Sequence, residues 1–128
     1  MKDFTQHQEA LALKELGFRE DCFGMYDKKY PTTFIDSKAS GVLNKFNDTD
    51  MFLAPLYSQA FRWFREKYKY YHCITPVDNS RGFVKGYYYD IMFDGNEKEG
   101  IESESFIAYE EAELECLKKL IEIVKDGK

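Results

Sequence analysis

Apolar residues recur along the chain with two different periods, and the points where the period changes divide it into elements. Ala10 and Leu13, with Leu16 or Leu11, repeat at helical spacing after Thr5-Gln-His-Gln8, which has the spacing of a capping box. A helix is therefore expected over about residues 6–16. Gly17 offers the left-handed conformation that closes a helix, and Phe18 is placed to fold back over the last turn. Residues 22–26 and 32–35 read as two short strands around a polar, proline-containing turn. Residues 36–53 mix Ser, Gly, Asn and Asp with isolated apolar positions and read as irregular.

The strongest helical pattern begins at Pro55, since proline suits the first helical position and Tyr57, Ala60, Phe61, Phe64 and Tyr68 then recur along one face. Arg62, Arg65 and Glu66 lie on the opposite, solvated side. Two strands follow, over residues 70–76 and 85–93, joined by a hairpin loop at Val77-Asp-Asn-Ser-Arg-Gly82. In the second strand Tyr87, Tyr89, Ile91 and Phe93 share one face while Tyr88, Asp90 and Met92 share the other, so one of these faces is core. A polar turn over residues 94–100 leads to a short strand expected at 105–108. Residues 110–125 have acids in the first turn, lysines towards the end, and Ala112, Cys116, Leu117, Leu120, Ile121 and Val124 along one side, which makes them a helix.

These elements predict an α+β fold: a small antiparallel sheet with the 55–68 and 110–125 helices packed on one face, in the order α-β-β-(β)-α over residues 55–125. The N-terminal helix and hairpin extend or cover it. A length of 128 residues without repeats or a long linker fits a single domain, 1–128. A hydrophobic fraction of 44% and an aromatic fraction of 17% are those of a chain that folds.

Charge alters this picture most. Residues 62–86 carry six Lys or Arg against two acids, and residues 87–128 carry five against twelve, so a basic aromatic middle precedes an acidic end within a net charge of −5. An acidic whole argues against general binding of nucleic acid or anionic membranes but leaves a local basic patch to consider. The N-terminus has acids by its third residue and no long apolar run, so neither a signal peptide nor a membrane span is expected, and cytoplasmic residence follows as the default.

Candidate chemistry is sparse. Cys22, Cys73 and Cys116 are odd in number and widely spread, with no C-x-x-C pair, which argues against a disulfide framework. His72 and Cys73 set a base beside a nucleophile, but strand neighbours point to opposite faces and cannot share a proton. His7 and His72 lack the close ligand spacing of a zinc site, and Asp90, Asp94, Glu97, Glu99, Glu102 and Glu104 lack the order of a calcium loop. The glycines form no phosphate-binding or dinucleotide fingerprint. No catalytic, metal or cofactor residue is assigned, and no enzyme activity is expected.

The segments APLYSQAFRWFREKY (54–68) and YEEAELECLKKLIEIVK (109–125), with LALKELGF near the start, resemble those of a group of small phage and prophage proteins from Bacteroides-type gut bacteria. The resemblance implies a mobile-element origin and carries no activity, ligand or site residue. The element order over 55–125 is also that of double-stranded RNA-binding domains. That family meets phosphates with basic residues at the start of its last helix, where this chain has Glu110, Glu111 and Glu113, so the resemblance extends to topology and not to duplex binding.

The expectation is a non-enzymatic interaction or accessory protein that meets a protein partner or itself, because many aromatic residues and opposed charge patches suit recognition. The oppositely charged 62–86 and 87–128 segments also suit pairing within a homodimer. The candidate surface is Arg62, Arg65, Lys67, Lys69, Tyr70, Tyr71, Arg81, Lys85 and Tyr88. The alternative is a single-stranded nucleic-acid platform on the same basic aromatic segment, in which Tyr70, Tyr71 and Tyr88 stack bases while the cations follow the backbone.

Overall fold

A computed structural model describes residues 3–20, 22, 24–27, 34–36, 51–94 and 99–127, which form three helices and two three-stranded antiparallel sheets. The chain is α+β, and it gathers into two compact units, Met1–Ala60 with Val124–Lys128 and Phe61–Ile123. Residues 28–33, 37–50 and 95–98 lie outside the described residues, and with them most of the expected proline-containing turn and of the polar turn expected at 94–100.

In the first unit, helix α1 (His7–Leu16) ends as its sequence requires. Gly17 adopts φ 105°, its N–H donates to the Lys14 carbonyl and the Phe18 N–H donates to the Leu13 carbonyl, so the last turn is closed by backbone bonds. Phe18 and Leu13 are both buried. The start of α1 departs from the capping-box expectation, because its N-cap is Gln6 and no side chain caps it. Thr5 instead sends both its N–H and its hydroxyl to the Pro55 carbonyl, at 2.9 and 3.0 Å. A bond across 50 residues has replaced a local one.

Strands β1 (Gly24–Asp27) and β2 (Phe34–Asp36) form the expected hairpin. They do not extend the later sheet, since β3 (Met51–Ala54) pairs with the other edge of β1 to complete a β2-β1-β3 sheet. The irregular reading of residues 36–53 is thus corrected at its end: Met51-Phe-Leu-Ala54 has no period-2 pattern, and its strand is set by pairing with a remote segment. Met25 and Tyr26 point to opposite faces of β1 and both are buried, so the central strand is covered on both sides. Ala10, Tyr26 and Ala54 form one cluster with Leu11 packed against it.

Helix α2 (Tyr57–Tyr68) begins two residues after Pro55, which is a second correction. Pro55 is not the first helical residue because its carbonyl is taken by Thr5 while Leu56 bridges to Phe4. The expected face is otherwise reproduced, with Tyr57, Ala60, Phe61 and Phe64 buried together with Trp63.

In the second unit, β4 (Tyr70–Asp78), β5 (Val84–Phe93) and β6 (Ile101–Glu102) form a sheet in that order. The β4–β5 hairpin is closed by Asn79, whose side-chain oxygen accepts the N–H groups of Arg81 and Phe83, and by Gly82 at φ 84°. The last strand lies at 101–102, earlier than expected, and Phe106 contributes only an isolated bridge to Tyr87. Helix α3 (Tyr109–Asp126) buries Ala112, Cys116, Leu117, Leu120, Ile121 and Val124, the side read from the sequence.

Candidate interaction surface

The β4–β5 register sorts every side chain of the sheet. Tyr70, His72, Ile74 and Pro76 face the same way as Phe93, Ile91, Tyr89 and Tyr87, while Tyr71, Cys73, Thr75 and Val77 face the other way with Met92, Asp90, Tyr88 and Gly86. Helices lie on the first of these faces. Phe61 of α2 stacks on His72 with ring centroids 3.7 Å apart, and Tyr109 of α3 meets Tyr87 edge-on at 5.5 Å. Tyr89 and Ile91 are buried there.

The reverse face is open. Met92 is 63% exposed, Cys73 is exposed, and Tyr71, Thr75, Val77 and Tyr88 are half-buried. Two open hollows flank Met92, one of about 290 Å³ against Tyr71, Phe93 and Asp94, the other of about 360 Å³ against Asp90, Gly100 and Glu102. Asp90 pairs in register with Glu102, so two carboxylates stand opposite each other across neighbouring strands. Like charges so placed repel and favour a cation arriving between them.

The nine residues predicted as one surface fall into separate places. Arg62 and Lys67 are exposed on α2, on the helix side of the sheet, and the Lys67 ammonium lies 5.1 Å from the Trp63 ring centre and 5.7 Å from that of Tyr68. That is cation–π geometry within the chain. Arg65, half-buried on the same helix, lies close enough to His72 for its charge to act on it. Lys69 occupies the α2–β4 turn at φ 63°. Tyr70 belongs to the helix-covered face, stacked on Tyr68 at 5.6 Å and edge-on to Phe93 at 4.9 Å. Arg81 and Lys85 are exposed at the hairpin end. Only Tyr71 and Tyr88 share the open face, about 14 Å apart by strand rise because Thr75, the partner of Tyr88, is four positions along β4 from Tyr71.

Among the titrating groups, burial first and the Arg65 charge second lower the His72 imidazole from 6.5 to about 4. Burial likewise pushes the Cys116 thiol far above its ordinary range, which makes it a packed apolar group rather than a nucleophile. The alternation rule is obeyed at His72 and Cys73, one under α2 and the other on the open face. Among the described residues no group of three or more His, Cys, Asp or Glu is arranged to hold a metal, and no helix is long and apolar enough to cross a membrane.

Met92 and the Asp90–Glu102 pair were absent from the predicted surface. The signal for Met92 was present, since alternation in residues 87–93 places it opposite the aromatic core face. The signal for the acid pair was not, because the polar sequence between the two strands fixes no register. No family model, curated protein or solved structure matches the chain.

Proposed function

We propose that the protein is a non-enzymatic interaction protein that binds a protein partner through the open face of the β4-β5-β6 sheet. The observation that carries this reading is the composition of that face: exposed Met92 between two hollows, Tyr71 opposite it on β4, and Asp90, opposed to Glu102 of β6, between Met92 and Tyr88 along β5. Flexible methionine and amphipathic tyrosine suit a surface that must be wet when free and dry when bound. The carboxylate pair favours a partner presenting apolar side chains beside a Lys or Arg. An accessory role in a mobile element accords with the resemblance of the helical segments.

The same carboxylates argue against bases stacking on Tyr88, because a phosphate following the strand would meet two negative charges while Arg62 and Lys67 lie on the other side of the sheet. A photocrosslinking residue at position 92, introduced into the full chain in the cell that makes it, is expected to give a discrete protein adduct that Tyr88→Glu abolishes. Labelled single-stranded DNA and RNA, titrated at low salt, are expected to show no binding. Tight, salt-sensitive binding lost in an Arg62→Glu/Arg65→Glu variant would replace this reading with the nucleic-acid one.

A further inference from the structure

Hydrogen bonds on the far side of β5 reveal which backbone groups of β4 are left outward. The Ser103 N–H donates to the Tyr89 carbonyl at 2.9 Å, the Tyr89 N–H donates to Ser103 Oγ at 2.9 Å, and Tyr87 and Phe106 exchange backbone bonds at 2.7 and 2.6 Å. Tyr87 and Tyr89 therefore turn their N–H and C=O groups away from β4. Successive strand residues alternate, so Tyr88 and Asp90 turn theirs towards β4, where their register partners are Thr75 and Cys73. By the same alternation Tyr70, His72, Ile74 and Pro76 present their backbone groups outward. Pro76 supports this parity, since its missing N–H falls where no bond to β5 is lost.

This edge is nine residues long, and β4 is terminal in the β4-β5-β6 order. Edge strands of such length are usually shortened, covered, charged inward or broken by proline, and among the described residues the one such device is Pro76 near the end. The strand is also complementary to itself when reversed. Its outward residues 70, 72, 74 and 76 are symmetric about Cys73, so an antiparallel copy presents a carbonyl opposite every outward N–H, with only Pro76 lacking a donor.

We infer that two copies of the chain pair β4 to β4 in antiparallel fashion about a two-fold axis at Cys73, making one continuous sheet of both. In that register His72 stands opposite Ile74 of the second copy, and the two exchange both backbone bonds. Tyr71 stands opposite Thr75, and Tyr70 opposite Pro76, which leaves the missing donor at the ladder's end. Cys73 meets its own counterpart as a non-hydrogen-bonded pair, with Cα atoms about 4.5 Å apart, within disulfide range. An axis perpendicular to the sheet keeps the two open faces side by side, so dimerisation enlarges the proposed binding surface but does not depend on it.

Sedimentation of the full chain from micromolar to hundreds of micromolar is expected to show a monomer–dimer equilibrium. Ile74→Pro removes an outward N–H and leaves the bonds to β5 in place, and it is expected to weaken the dimer by at least about tenfold. A charge exchange covers the case in which that variant does not fold: Tyr71→Lys/Thr75→Lys sets like charges opposite each other across the seam and weakens dimerisation, and Tyr71→Lys/Thr75→Glu restores it. Diamide, which takes two electrons and two protons from a thiol pair, is expected to link the native dimer through Cys73 and not to link Cys73→Ser, the other two cysteines being buried. A monomer at every concentration overturns the pairing, as does a dimer that forms no Cys73 link and ignores the charge exchange. Neither result touches the crosslinking test at position 92.

Discussion

His72 couples the stability of the second unit to pH. Its imidazole lies flat on Phe61, 3.7 Å between centroids and 11° between planes, and burial and then Arg65 lower its pKa from 6.5 to about 4. The folded state thus holds the ring neutral where the unfolded chain takes up a proton. Stability from this group is complete above about pH 6.5 and is lost as pH falls towards 4. The interval multiplied by about 1.4 kcal/mol per pH unit sets a ceiling of about 3 kcal/mol, and partial exposure of the ring reduces the expected loss to about 2 kcal/mol. Urea unfolding of the native protein and of His72→Phe, at about pH 7.5 and about pH 5, isolates the effect, because Phe keeps the stacked ring and the carboxylates titrate alike in both proteins. Near neutral pH the two are expected to differ little. At the acid point the variant should be the more stable by about 1 kcal/mol. A difference independent of pH, or an imidazole proton resonance with its midpoint near the ordinary histidine value, would refute the reasoning.

Three further outcomes follow from the packing. A Cβ on Gly86 would sit 2.8 Å from the Phe106 carbonyl oxygen, so Gly86→Ala is expected to cost about 1–3 kcal/mol in thermal or urea unfolding and to speed amide exchange at Tyr87. Thr5→Val removes the hydroxyl bond to Pro55 and is expected to cost about 1 kcal/mol, whereas Gln8→Ala, which would break a capping box, should change the unfolding midpoint little. Gly17→Ala forces a side chain into φ 105° at the end of α1 and is expected to lower stability by about 1 kcal/mol in the same assay.

Local chemistry made much of the fold legible. The α3 stripe, the Gly17 stop, the hairpin at Asn79 and the two-faced pattern of residues 87–93 are each set by residues within a few positions of one another, so the sequence alone determined the helices, the longer strands and the α+β class. Tertiary structure decided what depends on remote partners. Met51–Ala54 is a strand because β1 lies beside it, and Thr5 reaches Pro55 because that carbonyl is near in space and 50 residues away in sequence. The candidate surface divided for the same reason. A run of basic and aromatic residues is contiguous along the chain, but α2 and the alternating faces of β4 send neighbours in sequence to opposite sides of the sheet, and only the pairing of β5 with β6 brings Asp90 to Glu102 beside Met92.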